Sequence, residues 1–126
     1  RQVALEHEGD FVKFLGDGVM LYFNRPTDGV HAAFVMLERF DEEQLPPARM
    51  GIDAGPVVFQ EGDYFGRTVN IAARLADYAR PGEVLVTRQV VESVPEGELT
   101  PSEIGPVTLK GVARPVDVYA AYPPGS

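Results

Sequence analysis

Residues 11–23, FVKFLGDGVMLYF, place two apolar runs on either side of a Gly-Asp-Gly. That pattern predicts a β-hairpin, because the tight turn needs positive φ angles. Lys13 interrupts the first run and Asp17 stands at the tip. RPTDGV then predicts a helix start, with Thr27 or Asp28 able to accept from free backbone N–H groups. Val30, Ala33, Phe34 and Leu37 follow at i, i+3, i+4 and i+7, the spacing of one buried helical face. QLPP at 44–47 ends that helix, since proline cannot continue the ladder. ARMGIDAGPVVFQ, 48–60, predicts a strand, a Gly-Pro bend and a second strand, and a helix is expected from about Gly66 to Ala79. RPGEVLVT, 80–87, predicts a turn and a buried strand, and RQVVESV a short helix. Two strands are expected near GPVTLKG and VDVYAAY. The order β-β-α-β-(β)-α-β-α-β-β, with hairpins interrupting the alternation, predicts an α+β domain rather than a doubly wound parallel sheet.

Composition narrows the function classes. At 126 residues the chain is sized for one domain with its own core. The absence of cysteine removes disulfides and thiolate metal sites, and two scattered histidines, His7 and His31, do not make a histidine centre. No apolar run approaches a membrane span, and no secretory leader opens the chain. Nineteen acids against 11 bases give a net charge of −8, which argues against broad nucleic-acid binding. A phosphorylated small molecule stays compatible, because a few local cations suffice. DEEQLPP and PEGELTPSE read as solvated loops.

The helix expected at 66–79 carries the most chemistry. Val69, Ala72, Ala76 and Ala79, with Leu75 beside them, read as its apolar stripe. Arg67, Asn70, Arg74 and Asp77 are spaced by 3, 4 and 3 and share another face. One reading is a solvated face with Arg74 weakly paired to Asp77. The other is an amide and a guanidinium one turn apart, aimed at an oxyanion or phosphate. Asp17 likewise reads as a turn residue or as a hard oxygen ligand suited to Mg²⁺. Lys13, in an apolar strand, must snorkel or find an acceptor. No P-loop, dinucleotide fingerprint, serine-nucleophile elbow or H-E-x-x-H motif is present.

VKFLGDGVMLYF, RMGIDAGPVV, GDYFGRTVNIAARL, PGEVLVT and LKGVARPVDVY occur in the order seen in class III nucleotide cyclases. The chain resembles the bacterial adenylate cyclase branch of the adenylyl/guanylyl cyclase catalytic domain over essentially its whole length. The resemblance implies a ferredoxin-like cyclase sheet with helices packed on it, and conversion of a nucleoside triphosphate to its 3′,5′-cyclic monophosphate and pyrophosphate. It implies two metal ions, Mg²⁺ or Mn²⁺, at sites shared between two copies of the domain. Asp17 matches one metal-binding aspartate. Lys13 and Asp63 match the adenine-selecting pair, where guanylyl cyclases place glutamate and cysteine. Asn70 and Arg74 match the pair that positions the ribose and stabilises the transition state, and Lys110 matches a triphosphate-holding lysine.

The family's first metal aspartate lies in a strand motif ahead of the hairpin, and that motif is not within these 126 residues. Residues 1–126 are therefore expected to form a single cyclase domain incomplete at its N-terminus, lacking the first strand and first helices. Asp53 in GIDAG departs from the histidine often found in relatives, with no loss of function attached to it. The expectation is an adenylate cyclase for intracellular signalling: cytoplasmic, homodimeric, joined to a regulatory domain, without nucleic-acid or membrane contacts. The 126 residues alone are expected to be inactive. The competing expectation is a catalytically silent cyclase-homology module that dimerises or binds nucleotide to regulate an attached domain.

Overall fold

A computed structural model describes residues 14–15, 18–21, 25–56, 58–60 and 63–125. Strand β1 (Phe14–Leu15) pairs antiparallel with β2 (Gly18–Leu21), as the apolar runs predict. Helix α1 (Pro26–Glu42) leads to β3 (Arg49–Ile52). A two-stranded sheet follows, β4 (Val58–Gln60) antiparallel to β5 (Asp63–Phe65). Then come α2 (Arg67–Tyr78), β6 (Val84–Thr87), α3 (Arg88–Ser93), β7 (Thr100–Val107) and β8 (Val116–Tyr122). The main sheet has six strands in the order β1-β2-β3-β6-β8-β7, with β2, β3 and β6 mutually parallel and the two ends antiparallel. This is the expected α+β architecture.

Side-chain alternation divides the core between the two faces of this sheet. On one face Met50, Ile52, Val84 and Val86 pack with Val30, Ala33 and Met36 of α1 and with Val90 of α3. On the other, Leu85, Val118 and Ala120 pack with Ile71 and Leu75 of α2. Gly51, alternating with Met50 and Ile52, lets α2 approach closely. A Cβ there would lie 2.5 Å from the Ala76 amide nitrogen and 2.6 Å from Leu75 Cβ, and would strike the Ala72 carbonyl oxygen.

Several local expectations are corrected. Neither Thr27 nor Asp28 caps α1: Arg25 is its N-cap and makes no side-chain cap bond. Pro26 instead opens the helix with its preset φ, and Asp28 sits in the first turn, where a carboxylate complements the helix dipole. Val69 is only half-buried; the buried side of α2 is Thr68, Ile71, Ala72, Leu75 and Ala76. The penultimate strand begins at Thr100, within PEGELTPSE, because pairing with β8 fixes its register from Thr100↔Tyr122 to Val107↔Val116. That pairing outweighs the poor strand propensity of Pro101, Gly105 and Pro106. Strand β5 has no strong apolar pattern of its own and is held by its pairing with β4.

Candidate active site

Helix α2 positions the two residues that the sequence marked most clearly. Gly66 is its N-cap, with a φ of 123° that favours glycine, and the Asn70 N–H donates to the Gly66 carbonyl at 3.0 Å. Ile71 and Leu75 anchor the buried side, each at most 2% exposed. That anchoring turns Asn70 outward, and Arg74 follows one turn later, half exposed. The Arg74 Nη1 donates to Asp77 Oδ2 at 3.3 Å. Such an exposed i,i+3 pair is weak enough to yield to a better acceptor.

Lys110 lies in the turn that links β7 to β8. Gly111 supplies a φ of 78°, and the Val112 N–H donates to the Leu109 carbonyl at 3.1 Å. Leu109 is buried in the same cluster as Ile71 and Leu75. The turn carrying Lys110 and the helix carrying Asn70 and Arg74 thus rest on one shared core, and the Lys110 side chain is exposed. Asp63 is the first residue of β5, three residues before the glycine that starts α2. Lys13 and Asp17 lie outside the described residues. Among the described residues no three His, Asp or Glu side chains gather to hold a metal ion.

One polar centre stood out in the sequence only as a departure from the family pattern, with no role attached to it. Asp53, just past β3, is 7% exposed. Its Oδ1 accepts from the Thr87 hydroxyl at 2.7 Å and from the Ala54 N–H at 2.8 Å. Burial pushes this carboxyl above the ordinary carboxylate range, while the two hydrogen bonds and the nearby Arg67 charge oppose the rise. A cleft of about 400 Å³ opens beside it, lined by the 53–56 corner, the start of α2 and Gln89. The advance signals were an aspartate at a strand end after apolar residues and its departure from the histidine often found there in relatives; neither indicates burial.

Helix α2, with its outward amide and guanidinium, belongs to a known fold family. A family model described as the adenylate and guanylate cyclase catalytic domain matches residues 2–121. The chain is a member of that family. Among curated relatives of this cyclase domain, an uncharacterized protein of Mycobacterium tuberculosis is 39% identical over 118 residues, 90% of this chain and 30% of that protein. A pH-sensitive adenylate cyclase of M. tuberculosis is 35% identical over 114 residues, 86% of this chain and 29% of that protein. The chain therefore spans about three tenths of the length of these relatives. Among solved structures, an adenylate/guanylate cyclase/hydrolase from Silicibacter pomeroyi aligns with a TM-score of 0.74 at 28% identity. That alignment covers 91% of this chain and 73% of the other. The adenylyl cyclase CyaB from Pseudomonas aeruginosa shares the fold, with a TM-score of 0.64 at 24% identity over 76% of this chain and 58% of the other. Among the described residues no helix of this cyclase domain is long and apolar enough to cross a membrane.

Proposed function

We propose that this cyclase domain acts on ATP, forming 3′,5′-cyclic AMP and pyrophosphate as part of a homodimer with shared sites. The observation that carries the reading is the outward pair on α2, Asn70 and Arg74, on a helix whose other side is sealed. The ribose 3′-hydroxyl gives up its proton to water as its oxygen attacks the α-phosphorus in line; the bond to the bridging oxygen of the β,γ-diphosphate breaks, and pyrophosphate leaves. Asn70 orients the ribose, and Arg74 exchanges Asp77 for the charge that builds on the α-phosphoryl oxygens. Lys110 neutralises part of the triphosphate. Lys13 and Asp63 select adenine through hydrogen bonds that guanine would leave unpaired. Divalent ions, Mg²⁺ or Mn²⁺, would supply electrophilic activation, with Asp17 as the ligand that this sequence offers. The described residues by themselves do not form such a centre.

Relatives named as adenylate cyclases support the choice of ATP. The test measures cyclic product from ATP and from GTP with the full-length protein. Preference for ATP is expected, and equal turnover of GTP would overturn the roles of Lys13 and Asp63. Shared sites are tested by mixing Asp17→Ala with Arg74→Ala proteins, each nearly inactive alone. Partial return of activity is expected, because mixed dimers carry one intact site.

A second reading, a silent regulatory module, is favoured by the Arg74–Asp77 pair, since a solvated face also predicts that contact. A full-length protein that binds ATP, makes no cyclic product and still dimerises would establish it.

A further inference from the structure

The corner at 53–55 couples the ends of two parallel strands to the helix that carries the proposed catalytic pair. Both hydrogen bonds to Asp53 end on Oδ1, one from Ala54 of its own loop and one from Thr87 at the end of β6. Arg67, the first residue of α2, faces the same cleft and attracts the carboxylate. Two residues on from Asp53, Gly55 lies against α2: a Cβ there would be 2.7 Å from the Thr68 hydroxyl. Thr68 is buried, and Asn70 follows it on the next two steps of the helix.

Neutral asparagine could accept the same two hydrogen bonds at this position without the cost of burying a charge. What aspartate adds is attraction to Arg67. We propose that the ionised carboxylate of Asp53 is a positioning group for α2, holding its first turn through Arg67 across the shared cleft, beside the close approach of Gly55 to Thr68, so that Asn70 and Arg74 meet the nucleotide correctly. The proposal rests on the catalytic reading of that pair and adds to it a control residue at the motif position where Asp53 departs from the histidine often found in relatives.

Among the described residues, the groups facing Asp53 from the packed elements are few. Arg67 comes from α2, Thr87 from β6, Gln89 from α3 and Asp117 from β8. Arg88, next to Gln89, is engaged with Asp117 at 3.4 Å. Arg67 is therefore the described cation whose charge acts on Asp53. Because burial holds the Asp53 carboxyl above the ordinary range, acidification removes this charge before it neutralises exposed carboxylates.

The test uses the full-length protein and the variants Asp53→Asn, Arg67→Gln, Arg67→Lys and the Asp53→Asn/Arg67→Gln double. Asp53→Asn should lower kcat about tenfold with a smaller change in KM, since a misplaced group costs most in the transition state. Its acid limb in the kcat–pH profile should flatten relative to wild type. Arg67→Gln should match it, the double should be no worse than either single, and Arg67→Lys should keep most activity. Amide hydrogen exchange at residues 67–70 should quicken in both single variants. Wild-type kcat and pH profile in Asp53→Asn, or additive losses in the double, would overturn the proposal. If wild type makes no cyclic nucleotide, the catalytic reading of Asn70 and Arg74 fails instead. In that case unchanged exchange at 67–70 would overturn the positioning role on its own.

Discussion

The two faces of the six-stranded sheet are packed by different means. On the α1/α3 face, branched and long side chains from four strand positions interlock with Val30, Met36 and Val90. On the α2 face, Gly51 lets the Ala72–Ala76 turn bring helix backbone almost onto strand backbone, with Leu75 seated at the same contact and Leu85 beside it in the core. The first arrangement buries more flexible apolar volume per contact, and rotamer changes can absorb small errors. The second has no such slack, so the helix axis is fixed to within a small fraction of a side chain's length. In the proposed function, the face that carries Asn70 and Arg74 gains from that stiffness, whereas a face that only contributes stability does not require it.

The comparison can be broken first at Met50, which is fully buried on the α1/α3 face. Met50→Ala should cost about 2–5 kcal/mol, read as a lower urea midpoint, because it leaves a cavity. Turnover per folded molecule should stay at the wild-type level. Loss of turnover beyond the loss of folded protein would mean that this face also shapes the site.

The opposite outcome is expected at Arg74. Arg74→Ala in the full-length protein should lower kcat by about 10²–10³, the usual loss for one oxyanion-stabilising donor. Stability should move by no more than about 0.5 kcal/mol, since the exposed pair with Asp77 contributes little. A fall in melting temperature with kcat retained would place Arg74 in the structural class instead.

Gly51, on the α2 face, should report on stability and turnover at once. Gly51→Ala forces α2 away from the sheet and should cost about 1–3 kcal/mol by overpacking. Because the displaced helix carries Asn70 and Arg74, kcat should also fall. Thermal melts and single-turnover kinetics on the same preparation separate the two losses. A stability loss without a kinetic one would show that α2 position is not limiting.

The smallest effect concerns Asp53 and has a definite sign. Its native pKa lies above its unfolded value, so the native state holds the proton more tightly. Ionisation therefore costs stability above the native pKa, and the cost is relieved as pH falls through the window between the raised native value and the ordinary one. Asp53→Asn lacks that cost and should melt higher than wild type near neutrality, the difference shrinking as pH falls through that window and vanishing below the ordinary aspartate range. Melting curves across pH check it. An Asn variant that melts lower at neutral pH would mean that the Arg67 attraction outweighs burial.

Much of the fold was legible because its signals are local. The Asp-Gly between apolar runs predicted the β1–β2 pairing, and the 3–4 spacing from Val30 to Leu37 predicted α1. The five ordered motifs were enough to name the family. The limits of β7 were not legible, since Pro101, Gly105 and Pro106 weaken its own strand signal and β8 supplies the partner that overrides it. The apolar face of α2 was legible at Ala72, Leu75, Ala76 and Ala79, all buried; Val69 is only half-buried, and Thr68 and Ile71 complete the buried side because the helix is rotated slightly toward them.

Sequence alone determined most of the elements, though not β5, where most of the others start and stop, and that Asn70 and Arg74 share one face of α2. These follow from backbone preferences and from periodicity within a few residues. Only the tertiary structure decided that β2, β3 and β6 run side by side, that α2 rests on Gly51, and that Asp53 is buried against Thr87. Each of those depends on residues distant in the chain, 34 positions apart for Asp53 and Thr87. Burial and the resulting charge cost arise only when the chain closes around them, so no local pattern carries them.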